Sequence, residues 1–476
     1  MHVTMVKGRV MTVSKQRVPV VARQQAATRI VERLRAAGHV AYLAGGCVRD
    51  LLLGREPLDF DVATSATPDI VLDMFSRTFA VGAQFGVVLV VDAFESAEIL
   101  TEVATFRAEG EYSDGRRPDS VRYTRSAELD VLRRDFTING MLLDPERMRA
   151  TGSVAGAVLD FVGGVEDLRK RVVRTIGSPR QRFEEDKLRM LRAVRFASRF
   201  GFEIEDNTLR TIRLAAQEIE AVSHERVRDE LTRMLTEGAA RQAYELLESS
   251  GLLVEVLPEV ARMAGVEQPP QFHPEGDVWI HTRMLLEQLP VGCSPTLAWG
   301  ALLHDVGKPA TFRRAPDRIR FDGHVEVGVR IAEEICHRLR MSNSDTEQIL
   351  ALVANHMRFA DVERMRDSTL KRFFRLHQFD EHLALHRMDC MASHRDLSLY
   401  EFARERYQAA EPEQIRPRPL VTGDDLIALG YRPGPEFRPM LNMVEDAQLE
   451  GTVQTHDDAL ALIASSFPRP SPRRRS

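Results

Sequence analysis

The sequence predicts an α+β head, a mixed sheet with helices, followed by a mostly α-helical remainder. Three observations carry this. Apolar runs of strand length alternate with helix-spaced segments up to about residue 160. From about residue 165 onward, apolar residues recur at three- and four-residue spacing. The Pro- and Gly-rich loop QPPQFHPEGD (268–277) then marks a domain border within the helical part.

Residues 1–22 read as a loose arm. ARQQAATRIVERLRAAGH (22–39) has helical spacing and ends in Gly38. VAYLAGG (40–46) reads as a short buried strand entering a glycine turn, and VRDLLLG (48–54) as a helix stopped by Gly54. LDFDVAT (58–64), VGAQFGVVLVV (81–91) and EILTEVATF (98–106) read as three strands. FEEDKLRMLRAVRFASRFGF, HERVRDELTRMLTEG and ARQAYELLESSGLLVEVL read as amphipathic helices, and a second helical block runs from about 278 to 412. EPEQIRPRPLVTG is a linker, and the segment after it opens a short helical piece. PRPSPRRRS ends the chain as a disordered basic tail. The expected division is an arm (1–22), a head (23–160), a helical neck (161–267), a second helical domain (268–412), a helical tail (413–466) and a basic terminus (467–476).

The 476 residues are 43% hydrophobic, which supports several packed domains. A formal net charge of −5 advertises no nucleic-acid partner, so any RNA site must be local, where Lys and Arg cluster. Cys47, Cys293, Cys336 and Cys390 stand far apart with no CxxC pair. That argues against a disulfide framework or zinc ribbon and fits a reducing cytoplasm. No apolar run reaches the ~18 residues of a membrane span, and the first residues lack a signal-peptide centre. A cytoplasmic protein without a membrane partner is expected. Composition sets no oligomeric state.

Asp59 and Asp61 flank Phe60 on a predicted strand. Alternate strand residues face one side, so both carboxylates can reach one or two Mg²⁺ ions. A lone DxD is most often a solvated strand end. Here Gly45-Gly46 precede it at a strand-to-helix turn, where backbone N–H groups can approach a triphosphate. Arg49 follows one turn into the helix and can meet a phosphate.

LAGGCVRDLLLGREPLDFDVATSATP resembles the signature of the class II tRNA nucleotidyltransferase and bacterial poly(A) polymerase family, part of the DNA polymerase beta superfamily. VLRRDFTINGMLLD (131–144) is similar to its second motif, RRDFTxNA, with Gly140 in place of the usual Ala. FVGGVEDLRKRVVRTIG resembles the next element, RFEEDKLRMLRAVRF (182–196) the base-reading motif EDxxRxxRxxR, and HERVRDEL (224–231) the last neck motif. The likeness covers roughly residues 25–260.

The resemblance implies a DNA polymerase beta-like nucleotidyltransferase head. Such a head adds nucleotides from CTP and ATP to the tRNA 3′ end by two-metal transfer, with release of pyrophosphate. It implies that Asp59 and Asp61 hold Mg²⁺, with Glu102 the candidate third carboxylate or, equally, a structural strand residue. Asp186 and Arg189, at i and i+3 on one helix face, would pair with the incoming base. The protein would thus be the template. Arg192 and Arg195 continue that register and suit the triphosphate, while Arg134, Asp135 and Asn139 resemble ribose and phosphate contacts. ATFRAEGEYSDGRRPDSVRY (104–123) resembles the flexible loop that switches from CTP to ATP, and VGAQFGVVLV the tRNA-type branch.

His281, His304-Asp305, His324, His356 and Asp389 follow in order through helical sequence. A lone His is usually a surface or satisfied core residue, but HDVGK with matched outer ligands is sharper. The order resembles the HD phosphohydrolase superfamily. It implies a divalent transition metal (Ni, Mn, Co or Fe) and phosphatase or 2′,3′-cyclic phosphodiesterase activity. The tail, with GYRPGPEF and Arg432 at a turn, resembles the segment that contacts the tRNA elbow, with plain helical packing as the equal alternative. Three other readings stay open: an A-only-adding enzyme, a poly(A) polymerase, and an HD phosphohydrolase whose N-terminal half grips RNA.

Overall fold

The computed structural model describes residues 5–6, 9–10, 18–82, 86–95, 97–108, 122–270 and 276–467. Two compact units emerge, Met1–Met234 with Gln242–Val256 and Leu235–Arg241 with Leu257–Ser476.

The first unit is built on seven strands: β1 (Ala41–Ala44), β2 (Asp61–Thr64), β3 (Thr78–Gly82), β4 (Val87–Phe94), β5 (Ala97–Thr105), β6 (Met141–Leu143) and β7 (Val158–Asp160). Their order is β3-β4-β5-β2-β1-β6-β7. Only β2 and β5 run parallel; the other neighbours are antiparallel. The sheet is therefore mixed, as expected of the head. Helix α1 (Val20–Ala36) packs on it through Ala22, Ala26, Ala27, Ile30, Val31 and Leu34. Those positions form one apolar helical stripe.

Four local expectations need correction. The helix predicted from residue 22 starts at Val20, because Pro19 supplies a pre-set N-cap φ of −55°. Within the expected loose arm, Met5–Val6 and Arg9–Val10 pair as antiparallel strands. VGAQFGVVLVV is not one strand but parts of β3 and β4. Its largely apolar character concealed a turn that includes Gly86 at φ +80°. The strand predicted over 58–64 begins only at Asp61, so Asp59 stands just ahead of it. Of the loop 104–123, residues 109–121 lie outside the described residues, as does most of the basic terminus.

A helix α2 (Gly46–Leu52) follows β1 directly. The motif RFEEDKLRMLRAVRF does not form one helix: α3 (Pro179–Glu185) stops, and α4 (Arg189–Phe200) starts afresh. Asp186 between them is extended at φ −153°, and its carboxylate accepts the Leu188 N–H at 3.1 Å. A short acidic side chain that bonds nearby backbone competes with helix, which periodicity alone does not reveal.

The second unit is mostly helical, with one short antiparallel pair, Arg313–Arg314 and Ile319–Arg320. Its elements include α5 (Val278–Glu287), α6 (Pro295–Leu303), α7 (His324–Arg338), α8 (Asn343–Asn355) and α9 (Phe379–Ala392). The C-terminal helices gather their own small core around Leu426, Tyr431, Met440, Val444 and Ile463. No helix among the described residues is long and apolar enough to cross a membrane. All four cysteines are free.

Gly140 closes one end of the head core. A Cβ there would come within 2.9 Å of both the Ile176 and Val162 methyls. Gly140→Ala is therefore expected to cost ~1 kcal/mol through overpacking, read as a lower urea midpoint at unchanged slope.

Candidate active site and metal centre

In the head, the turn from β1 into α2 puts Gly45 at φ +72°, where a Cβ would meet the Arg134 guanidinium at 3.3 Å. Glycine keeps that approach open. The turn forms one wall of a cleft of about 480 Å³ lined by Gly45, Gly46, Arg49, Arg133, Arg134, Asp135, Asn139, Asp186, Arg189, Arg192 and Phe196. Arg49 donates to Asn139 at 2.5 Å and to Asp50 at 2.9 Å, with its guanidinium over the Phe200 ring. Asp135 accepts from Asn139 at 3.1 Å and from Arg192 at 2.6 and 2.9 Å. Burial alone would raise the Asp135 carboxyl, but the charge and hydrogen bonds of Arg192 outweigh it and hold the group at about 2.

Asp61 and Glu102 behave in the opposite way. The parallel register Val62↔Val103 sends those valines into the core and leaves Asp61 and Glu102 together on the other face. Asp61 is pushed up to about 7, first by burial, then by Glu102 and Asp59, with only Arg134 opposing. Glu102 is raised by burial and by Asp59. The structure thus brings Asp59, Asp61 and Glu102 close enough to interact, and among the described residues no ion pair like that of Asp135 with Arg192 offsets their charge. Such crowding suits a hard divalent cation.

At the helix break, Asp186 accepts from Arg226 at 2.7 Å. Arg189 donates to Glu185 at 2.6 Å and to the Arg182 and Arg133 carbonyls at 3.1 and 3.2 Å. Both residues line the cleft, although not from one helix face. Arg195 does not: it is 4% exposed and donates to Glu230 at 2.6 Å. Sequence reasoning missed Glu230, Arg226 and Asp130. Asp130, 2% exposed, accepts from Arg133 and Arg134 and so aims both toward the cleft. Only its place four residues before Arg134 in the motif hinted at this.

In the second unit, all six expected ligands converge. Asp305 Oδ2 lies 3.2 Å from His304 Nε2 and 3.9 Å from His281 Nε2, while Oδ1 lies 3.8 Å from the Nε2 atoms of both His324 and His356. Asp389 joins the first group, 3.1 Å from His281. His304, His324 and His356 each place Nδ1 2.7–3.0 Å from the carbonyl three residues back, which turns Nε2 inward. The Nε2 atoms of His324 and His356 are buried and lack a hydrogen-bond partner. Burial holds His356 down at about 4, so its imidazole is neutral and free to ligate. This donor set fits one or two divalent metals, with Asp305 offering one oxygen to each half.

HDVGK contributes two further residues. Gly307 admits no side chain: a Cβ would stand 2.1 Å from the His324 carbonyl oxygen, so only glycine lets α7 approach. Lys308, 6% exposed and missed as a site residue, donates to Asp305 at 2.7 Å and to Gln268 at 2.6 Å. Burial would raise the Asp305 carboxyl, but Lys308 and His304 hold it well below the usual range.

Comparison with known proteins gives three family matches. Residues 41–174 match the poly A polymerase head domain, 201–263 the probable RNA and SrmB-binding site of polymerase A, and 277–393 the HD domain. A CCA-adding enzyme of Lactobacillus helveticus is 30% identical over 440 residues, 90% of this chain and 94% of that one. One from Geobacillus thermodenitrificans is 42% identical over 228 residues, 48% of this chain. That alignment covers 53% of the relative, so the chain spans about half the length of such curated relatives. The crystal structure of a Bacillus stearothermophilus CCA-adding enzyme in complex with CTP superposes with a TM-score of 0.70 at 26% identity, covering 94% of this chain and 98% of that one. The Thermotoga maritima CCA-adding enzyme complexed with tRNA shares the fold at 19% identity and a TM-score of 0.55.

Proposed function

The chain belongs to the CCA-adding enzyme family, and from that premise we propose that it adds C, C and A from CTP and ATP to the 3′ end of tRNA in the cytoplasm. The observation that carries this is the carboxylate cluster of Asp59, Asp61 and Glu102 in the same unit as an arginine-lined cleft bearing Asp186 and Arg189. In the reaction, the tRNA 3′ hydroxyl loses its proton and attacks the α-phosphorus. A new P–O bond forms as the bond to the β-phosphate oxygen breaks and pyrophosphate leaves. Asp59, Asp61 and Glu102 would hold Mg²⁺, which when bound would supply charge neutralisation and a lower hydroxyl pKa. Arg49, Arg134 and Arg192 bind phosphate, Asn139 and Asp135 orient the ribose side, and Asp186 with Arg189 meets the base edge. Arg195 acts one step back, through Glu230.

The reading includes a head, neck, HD and tail division with the boundaries given by the sequence. The test offers CTP alone, ATP alone or both to tRNA lacking its 3′ end and maps the products. Complete CCA ends only with both nucleotides are expected. Addition of A alone points to the A-only relatives, and long A tails on generic RNA to a poly(A) polymerase.

The convergent histidines favour a second, separate activity: phosphomonoester or 2′,3′-cyclic phosphodiester hydrolysis at Asp305, with a transition metal such as Ni, Mn, Co or Fe. His304→Ala is expected to leave nucleotide addition within about 2-fold of wild type while phosphatase activity on a chromogenic phosphoester disappears. A parallel loss of both activities would show one shared site.

A further inference from the structure

Beneath the histidine centre, a second polar layer crosses the same helices. The Glu381 carboxylate, on α9, is 9% exposed. It accepts from the Ser294 hydroxyl, from the Thr296 hydroxyl at 2.8 and 2.9 Å, and from the Gln348 amide at 3.0 Å. Ser294 also caps α6, accepting from the Leu297 N–H at 3.3 Å. Gln348 turns its other end to His377, 3.2 Å away. Among the described residues, no Lys or Arg stands in ion-pair reach of Glu381. Neutral donors from two other helices carry this buried charge.

The spacing ties this layer to the metal centre. Thr296, Gln348 and Glu381 each precede a proposed ligand by eight residues: His304, His356 and Asp389. At 1.5 Å per residue that is roughly 12 Å along each helix axis. α6, α8 and α9 pack on one another. A slip of one helix by a single residue would turn its ligand by about 100° and would also take a donor away from the carboxylate. An apolar layer tolerates such slips far better, whereas a buried polar network penalises them.

We propose that Glu381 is a positioning residue for the HD metal centre: with Ser294, Thr296 and Gln348 it locks the register of the three helices that deliver His304, His356 and Asp389. The inference rests on the reading of those residues as metal ligands.

The test titrates the full metal-free chain with Co²⁺ and reads the visible absorption of imidazole-ligated cobalt. The signal of His304→Ala is subtracted to remove contributions from elsewhere. Glu381→Gln keeps the volume but turns an amide N–H₂ toward the donors. It is expected to weaken Co²⁺ binding about 10-fold, in the range seen when groups that orient ligands are removed, and to alter the band shape. CTP and ATP incorporation should stay unchanged. Thr296→Val, nearly isosteric, should give a smaller loss, and Thr296→Ser should restore wild-type binding. Wild-type Co²⁺ affinity and spectrum in both Glu381→Gln and Thr296→Val, even with a lowered unfolding midpoint, would overturn the proposal. An identical cobalt signal from wild type and His304→Ala would instead overturn the ligand assignment on which it stands.

Discussion

Asp61→Ala is expected to lower nucleotide incorporation by at least ~10³-fold, the scale of losing a key electrostatic group at the reacting phosphate, while tRNA binding persists. Asp61 is raised by both Glu102 and Asp59, so it is the acid on which the cluster's charge converges. Single-turnover extension of tRNA and a filter-binding isotherm separate the two effects. Lost binding with normal turnover of the bound fraction would contradict the assigned role. A second readout follows from the raised carboxyl. Its folded value, about 7, lies above the ordinary range, so the metal-free fold is favoured when Asp61 is protonated. That contribution is complete below about pH 4 and is lost as pH rises through 7. Asp61→Asn should therefore make the metal-free chain more stable than wild type at pH 8, on the order of 1 kcal/mol, with the difference fading toward pH 4. An inactive but stabilised variant is the signature of a group kept for function at the expense of stability.

The catalytic cluster was legible because its signals are local. A glycine pair ends one strand, one acid opens the next with a second just ahead of it, and a period-two strand places Glu102 by register. The histidine centre was legible for a similar reason: its ligand types recur in a fixed order, each on a helix or in the turn that ends one. What escaped depends on partners distant in sequence. Arg195 keeps the same three-residue rhythm as Arg192, yet one guanidinium faces the cleft and the other is buried against Glu230, 35 residues on. Asp186 is oriented by Arg226, 40 residues away. No periodicity encodes either pairing. The break at Asp186 was hidden because the apolar rhythm continues on both sides of it, and the β3–β4 turn because its flanks are equally apolar.

That break bears directly on base selection. Two side chains on one continuous helix would be placed by helix geometry alone, at a fixed offset. Here Asp186 is itself the extended residue and Arg189 opens the next helix, so their orientation depends on what holds them. Arg226 holds the acid. Glu185 and two carbonyls hold the guanidinium, leaving its remaining N–H donors for a ligand. An edge fixed before the nucleotide arrives discriminates by leaving its own buried donors unpaired against a wrong base. Arg189→Ala is accordingly expected to cut the ratio of kcat/KM for CTP over UTP by ~10²-fold, in line with the loss of a bidentate base contact. Triphosphate affinity should change less, because Arg49, Arg134 and Arg192 are untouched. Arg226→Ala should shift the same ratio in the same direction by a smaller factor, since it loosens Asp186 without removing it. Equal weakening toward all four triphosphates in Arg189→Ala would place the residue among the phosphate contacts, and base choice would then lie elsewhere in the cleft.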